Sequence, residues 1–262
     1  MDLGLQGQRV LITGGSKGIG LACAEVFLAE GADVVIVSRS ADNLARAVKQ
    51  LGMDAPRLIA VSADMIIAED AERVIDEVES RHGPIDVLVT SAGAARRTPP
   101  EELAPPVWHA AMDAKYFSYI HPIDATIKRM AVRKRGVIVN VIGAGGKVAS
   151  PSHLPGGAAN AALMLVTAGL ANAFGPANIR VNAVNPGLTL TERLSEGMAT
   201  DARMTGLSFE QLMERATARA PLGRLATPAE VANVVVFLAS PKSSYVTGAI
   251  VSMDGAATPI VV

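Results

Sequence analysis

The sequence predicts a single domain over residues 1–262, folded as a doubly wound α/β structure on a parallel sheet of seven strands. Three observations predict it. Short aliphatic runs alternate with segments of helical length, and such alternation implies parallel pairing through right-handed crossovers. Half of the residues are hydrophobic but only 3% are aromatic, so the core must be aliphatic, as in strands buried on both faces. No repeat, low-complexity tract or Pro/Gly/Ser linker divides the chain, and 262 residues suit one helix-covered sheet.

The first strand, Arg9–Thr13, runs into Thr13-Gly14-Gly15-Ser16-Lys17-Gly18-Ile19-Gly20 and a helix over 20–30. Glycines between a strand and a helix allow a tight turn, close approach to a pyrophosphate and close helix–strand packing. The helix start offers free N–H groups to phosphate. This placement reads as a Rossmann-type dinucleotide site, although the spacing is Gly-x-x-x-Gly-x-Gly. A strand Asp33–Ser38, a helix over 43–51, a strand over 58–61, a helix over 69–81 and a strand over 85–89 complete the first half. In the second half, strands over 137–141 and 180–184 enclose a helix over 158–174, and Ile250–Met253 is the last strand. Thr227 and Glu230 form a capping box, with Pro228 at the first helical position. The long stretch 188–226 follows a strand's carboxyl end, where a substrate lid belongs.

The formal net charge of −1 gives no electrostatic reason to bind nucleic acid or an anionic membrane. The one cysteine, Cys23, excludes an internal disulfide and reads as a small buried hydrophobe on the first helix. No signal-like N-terminus or bilayer-length apolar run is read, so a soluble cytoplasmic protein is expected. The end of the second strand reads Val37-Ser38-Arg39-Ser40. An NAD site usually places a carboxylate there for the ribose 2′-hydroxyl. Arg39, with Lys17 as a second cation, suits a 2′-phosphate instead, so NADP is the expected cofactor.

Further motifs stand in order along the chain. They are Asp64 after the third strand, Ser91-Ala92-Gly93 after the fourth and Ile179-Arg180-Val181-Asn182. Asn185-Pro186-Gly187 follows with Thr189 and Thr191, then Pro221-Leu222-Gly223-Arg224, Val246-Thr247-Gly248 and Met253-Asp254-Gly255. With the glycine turn, these resemble the short-chain dehydrogenase/reductase family nearly end to end. The resemblance implies an NADP(H)-dependent oxidoreductase acting on a carbonyl or alcohol in a small-molecule substrate, and a homotetramer. It implies cofactor contacts at Gly14, Ser16, Lys17, Gly18, Ile19, Gly20, Arg39, Asp64, Met65, Ala92, Gly93, Pro186, Gly187, Leu188, Thr189 and Thr191.

The same resemblance exposes a departure. The family's proton chemistry rests on Tyr-x-x-x-Lys, a Ser and an upstream Asn. Carried over by spacing, Gly156 stands for the Tyr, Asn160 for the Lys, Gly143 for the Ser and Lys115 for the Asn. Tyr116 and Tyr119 lie on another helix, and Tyr245 in the C-terminal signature. Two readings follow: an oxidoreductase with a rebuilt site, or a dinucleotide-binding protein with non-redox chemistry or no catalysis. The candidate replacements are Lys115, Asn160 and His153, with Ser150 and Ser152 behind them. Lys115 and Asn160 would keep one ammonium and one amide, exchanged between two helices, in direct or water-bridged contact. Gly156 would leave an empty space beside them, and His153 could donate a proton near neutral pH. Trp108 reads as a packing anchor, and His109, His121 and Asp124 lack a second ligand cluster for metal.

Overall fold

The computed structural model describes residues 2–52, 57–93 and 95–260. Strands β1 (Arg9–Thr13), β2 (Asp33–Ser38) and β3 (Leu58–Ser62) alternate with helices α1 (Gly18–Ala29), α2 (Ala41–Leu51) and α3 (Ala68–His82). After β4 (Val87–Thr90) come α4 (Pro105–Ala111), a π-helical turn (Met112–Phe117) and α5 (Ser118–Arg133). The chain then runs through β5 (Gly136–Val141), α6 (Leu154–Phe174), β6 (Ile179–Pro186), α7 (Glu192–Thr205), α8 (Phe209–Arg219), α9 (Pro228–Ala239) and β7 (Ile250–Met253).

All seven strands pair in parallel in the order β3-β2-β1-β4-β5-β6-β7. The chain walks outward from β1 to β3, returns to β4 on the other side and walks outward again. Order therefore reverses between β1 and β4, which opens a crevice at their carboxyl ends. Thr13 and Thr90 stand level there. One face of the sheet is covered by an aliphatic cluster including Phe27, Val231 and Val235; the other is covered around Tyr119, Ile123 and Leu163.

The expected strands are present, with shifted ends. β4 begins two residues later than read, because Ile85 N–H donates to the Glu79 carboxylate and Arg9 N–H to that of Asp86, ahead of the ladder. β6 extends through Pro186 at the sheet's carboxyl edge. The capping box at Thr227 forms as read, with Thr227 Oγ1 accepting from Glu230 N–H and the Glu230 carboxylate from Thr227 N–H. Cys23 is buried, and burial pushes its thiol up to about 12, too high for ready ionisation. One reading needs correction: Pro151–Ala177 is long and apolar enough to cross a membrane by length and composition. Its Ala-rich α6 has one buried face, carrying Leu163, Thr167 and Ala171, that packs on the sheet, while Leu165 is exposed. The stretch 188–226 holds α7 and α8 and is closed at its base by Leu190 N–H donating to Ala226 C=O at 2.9 Å.

Candidate active site

The glycine turn is shaped by contact as well as conformation. Gly14 has φ +69°, and a Cβ there would lie 2.7 Å from Ala92 Cα; Gly20 is pressed against the Gly14 carbonyl. The Thr13 hydroxyl accepts from both Ser91 and Ala92 N–H at 3.2 Å, tying the first turn to the loop after β4. The Ser16 hydroxyl donates to that of Ser38 at 2.9 Å. Gly18 and Ile19 open α1, whose first-turn N–H groups face outward from the strand.

At the end of β2, no carboxylate occupies the ribose position. Arg39 is exposed and stands 3.9 Å from Asp64, loosely paired. Asp64 Oδ1 accepts from Ile66 N–H, while the Met65 side chain is buried in the core. Lys17 leans to Glu192 on α7 at 3.4 Å, so its charge is shared with that helix. On the opposite rim, Pro186 ends β6 and Gly187 packs under Asp254. Leu188 is part-exposed, Thr189 is buried, and the Thr191 hydroxyl donates to Thr189 C=O.

Lys115 sits in the π-helical turn, a local widening often found at functional sites. Gly93 sets its depth: with φ +81°, it is pressed against the Ala114 carbonyl and the Ser118 hydroxyl. The side chain points inward. Lys115 Nζ donates to the Tyr119 hydroxyl at 2.6 Å and to the Val141 carbonyl at the end of β5 at 3.2 Å. It also lies 4.3 Å from the centre of the Tyr119 ring. Tyr119 is fully buried and donates its own proton to Val141 C=O. Burial, then the charge of Arg193, pulls the Lys115 pKa down to about 7.

Tyr119 was passed over in the sequence because its helix was not that of the family's Tyr. The available signal was its spacing, four residues after Lys115, which puts both side chains on one face. The direct Lys115–Asn160 bond expected from the sequence is not formed. Lys115 is held by Tyr119 and Val141, whereas the Asn160 Oδ1 is buried without a partner. The Asn160 amide lies under Gly143, its Nδ2 3.3 Å from where a Cβ there would stand.

The expected empty space at Gly156 is also absent. The His153 ring folds over Gly156, so that a Cβ there would collide with it and would also lie 2.8 Å from the Ala95 Cβ. The space is therefore filled from the residue three positions earlier, just ahead of α6. Burial lowers the His153 pKa to about 4, assisted by Arg97, Arg193 and Lys115 and opposed by Asp201. The ring is neutral at pH 7, so the expected imidazolium acid is replaced by a neutral imidazole with a buried, unpartnered Nδ1. The Ser150 and Ser152 hydroxyls lie 3.4 Å apart, and Ser152 Oγ donates to Asp201 at 3.1 Å. Trp108 is part-exposed and anchors no core, and among the described residues no cluster suited to a metal ion is found.

Residues 14–258 match the family model described as enoyl-(acyl carrier protein) reductase. Gluconate 5-dehydrogenase of Gluconobacter oxydans is 34% identical over 97% of this chain and 96% of its own length. The L-sorbose reductase of Gluconobacter frateurii, solved with NADPH and L-sorbose, superposes with a TM-score of 0.91 at 31% identity, covering both chains fully. An NADPH-bound short-chain oxidoreductase of Pseudomonas aeruginosa PAO1, described as containing an atypical catalytic centre, gives a TM-score of 0.86. It is 31% identical over 97% of this chain and 98% of its own. The chain belongs to the short-chain dehydrogenase/reductase family, whose members are nicotinamide-dinucleotide-dependent oxidoreductases.

Proposed function

We propose that this protein is an NADP(H)-dependent oxidoreductase that interconverts a carbonyl and an alcohol, using Lys115 where the family uses its tyrosine. The observation that carries the reading is the inward Lys115 ammonium fixed on Tyr119 and Val141. An ammonium has three N–H donors; two are engaged, and the third is free for a substrate oxygen. The nicotinamide cofactor would supply or accept the hydride when bound.

The residues present fit that group. The turn at Gly14, Ser16, Lys17, Gly18, Ile19 and Gly20 would take the pyrophosphate at the start of α1. Side chains at Gly14 and Gly20 would collide with Ala92 and with the Gly14 carbonyl, so the turn keeps its tight shape only with glycine there. Arg39 would hold the 2′-phosphate, and Asp64 and Met65 would border the adenine. Ala92 and Gly93 would line the crevice, with Pro186, Gly187, Leu188, Thr189 and Thr191 around the nicotinamide amide.

Within that site Lys115 stabilises oxyanion charge on the substrate and delivers or takes the proton at its oxygen. Its pKa near 7 suits transfer in either direction. Asn160 and His153 are neutral polar groups beside Gly143 and Gly156, with a buried amide oxygen and a buried ring nitrogen that have no partner. The stretch 188–226 closes over them as the lid.

The test is Lys115→Ala, assayed by NADPH absorbance across a carbonyl and alcohol panel. Turnover falls at least about 100-fold, the lower end of what positioned proton transfer supplies, while NADPH binding stays within about threefold. Full activity in the variant would remove Lys115 from the chemistry. NADPH binding without turnover of any panel member by the parent protein would favour the non-redox reading.

A further inference from the structure

We infer that the substrate is an organic acid, an oxo or hydroxy acid whose carboxylate is bound by Arg193 at the lid side of the site. The inference rests on the proposed oxidoreductase reading and adds the class of substrate to it.

Arg193 lies in the first turn of α7 and reaches down from the lid, donating through Nη2 to the Ala95 carbonyl. Ala95 in turn packs where Gly156 and the His153 ring meet. The guanidinium is thereby anchored beside the pocket that holds His153, on the side facing Lys115. Its nearest carboxylate among the described residues, Glu196, is 3.9 Å away and 69% exposed, so the pairing is loose. With one N–H committed to Ala95, the planar fork retains donors for a second partner.

Its neighbour Arg97 is arranged differently. Arg97 lies across Gly197, where a Cβ would be 2.9 Å from its Nε, and is ion-paired with Asp201. The other Asp201 oxygen accepts from Ser152. Arg97 and Asp201 thus form a close pair, with Asp201 also accepting from Ser152. What remains around His153 is the loosely paired charge of Arg193 and the charge of Lys115. Burial, then the charge of Arg193, depresses the Lys115 pKa, while burial lowers that of Arg193, opposed by Glu196 and aided by Arg97. Like charges held in a partly desolvated cleft are unfavourable until an anion joins them. A carboxylate on Arg193 meets the fork with matching planar geometry. It leaves the Lys115 ammonium free for the reacting oxygen a few carbons away.

The experiment is calorimetric titration of the NADPH-loaded protein at pH 7 with 2-, 3- and 4-oxo carboxylic acids and their primary amides. At least one acid is expected to bind tenfold or more tightly than its amide, with the gap shrinking in 0.5 M NaCl. Arg193→Gln should bring that acid and its amide within threefold while NADPH binding, read by fluorescence, is retained. Arg193→Lys should keep part of the gap, because it keeps the charge but loses the fork. Equal or tighter binding of the amides throughout overturns the inference, as does an Arg193→Gln variant that weakens acid and amide alike. So does an absence of binding by every acid. If acids bind with the expected preference but none consumes NADPH at 340 nm, the carboxylate site stands and the redox reading fails.

Discussion

At the scale of single residues, Lys115 differs from an ordinary surface lysine because burial and Arg193 bring its titration to about pH 7. Carbonyl reduction needs the ammonium, so kcat for reduction is expected to be full below pH 7 and to fall as pH rises through about 7. Alcohol oxidation needs the neutral amine and should rise over the same interval. Tyr119 is a positioning residue: its hydroxyl cannot reach substrate, but it accepts from Lys115 Nζ. Tyr119→Phe removes that acceptor and leaves the Val141 carbonyl. A shift of the pH midpoint and a fall in kcat with little change in KM are expected; an unaltered pH profile would leave Tyr119 a purely structural role. At the other end of the site, Arg39 and the missing carboxylate at Ser38 are expected to favour NADPH over NADH by at least about tenfold, roughly 1.4 kcal/mol. Arg39→Ala should erase most of that margin in a fluorescence titration, and equal affinities in the parent protein would refute it. Lys115, Arg39 and the glycine turn were legible in the sequence, since each is a residue type out of place or in a signature order. The roles of Arg97 and Arg193 were not, because their meaning lies in partners 104 and 98 residues away. For Tyr119 the spacing from Lys115 was a signal, but its Val141 partner lies 22 residues away.

At the scale of elements, the junction of α4 and α5 determines where the Lys115 ammonium stands. The π-helical turn inserts extra backbone width, and Gly93 fixes how closely it approaches the end of β4. Nothing in hydrophobic periodicity distinguishes one π turn from the helix on either side, so the sequence shows one continuous helical pattern here. Pro122 reads as a kink one turn later, yet it lies inside the helix with its ring buried, and the neighbouring Thr126 hydroxyl returns a hydrogen bond to its carbonyl at 2.7 Å. Gly93→Ala tests the junction. The left-handed φ costs a side chain about 1–2 kcal/mol and the collision with Ala114 and Ser118 about 1–3 more. A loss of about 3 kcal/mol in denaturant-derived stability is expected, with Lys115-dependent activity falling further than stability alone explains. An Ala variant as stable as the parent would mean the junction relaxes freely.

At the scale of the whole molecule, strand alternation and aliphatic runs were enough to read the seven-stranded parallel sheet. The order of strands was not legible there, because right-handed crossovers set the side each helix covers but not where the order reverses, which the structure places between β1 and β4. Association between chains is a different matter, since the surface that would mediate it is apolar but uncovered. On α6, Ala161, Leu165, Ala168 and Gly169 are exposed on one side, with Leu165 77% accessible. Gly169 has open space where a side chain would be, so a second helix could approach closely. The end of the π-helical turn adds Phe117, part-exposed and stacked on His121 of α5 with ring centres 5.5 Å apart. Two such faces per chain, if each pairs with itself about a two-fold axis, would generate a closed tetramer rather than a fibre. Light scattering at micromolar concentration is therefore expected to give about four times the 27.1 kDa chain mass. Leu165→Glu places two charges at each α6–α6 interface and should yield dimers that retain NADPH binding, because α6 contributes its buried face, not this one, to the site. A monomeric parent would mean that the α6 face is covered by something other than a second copy of the chain.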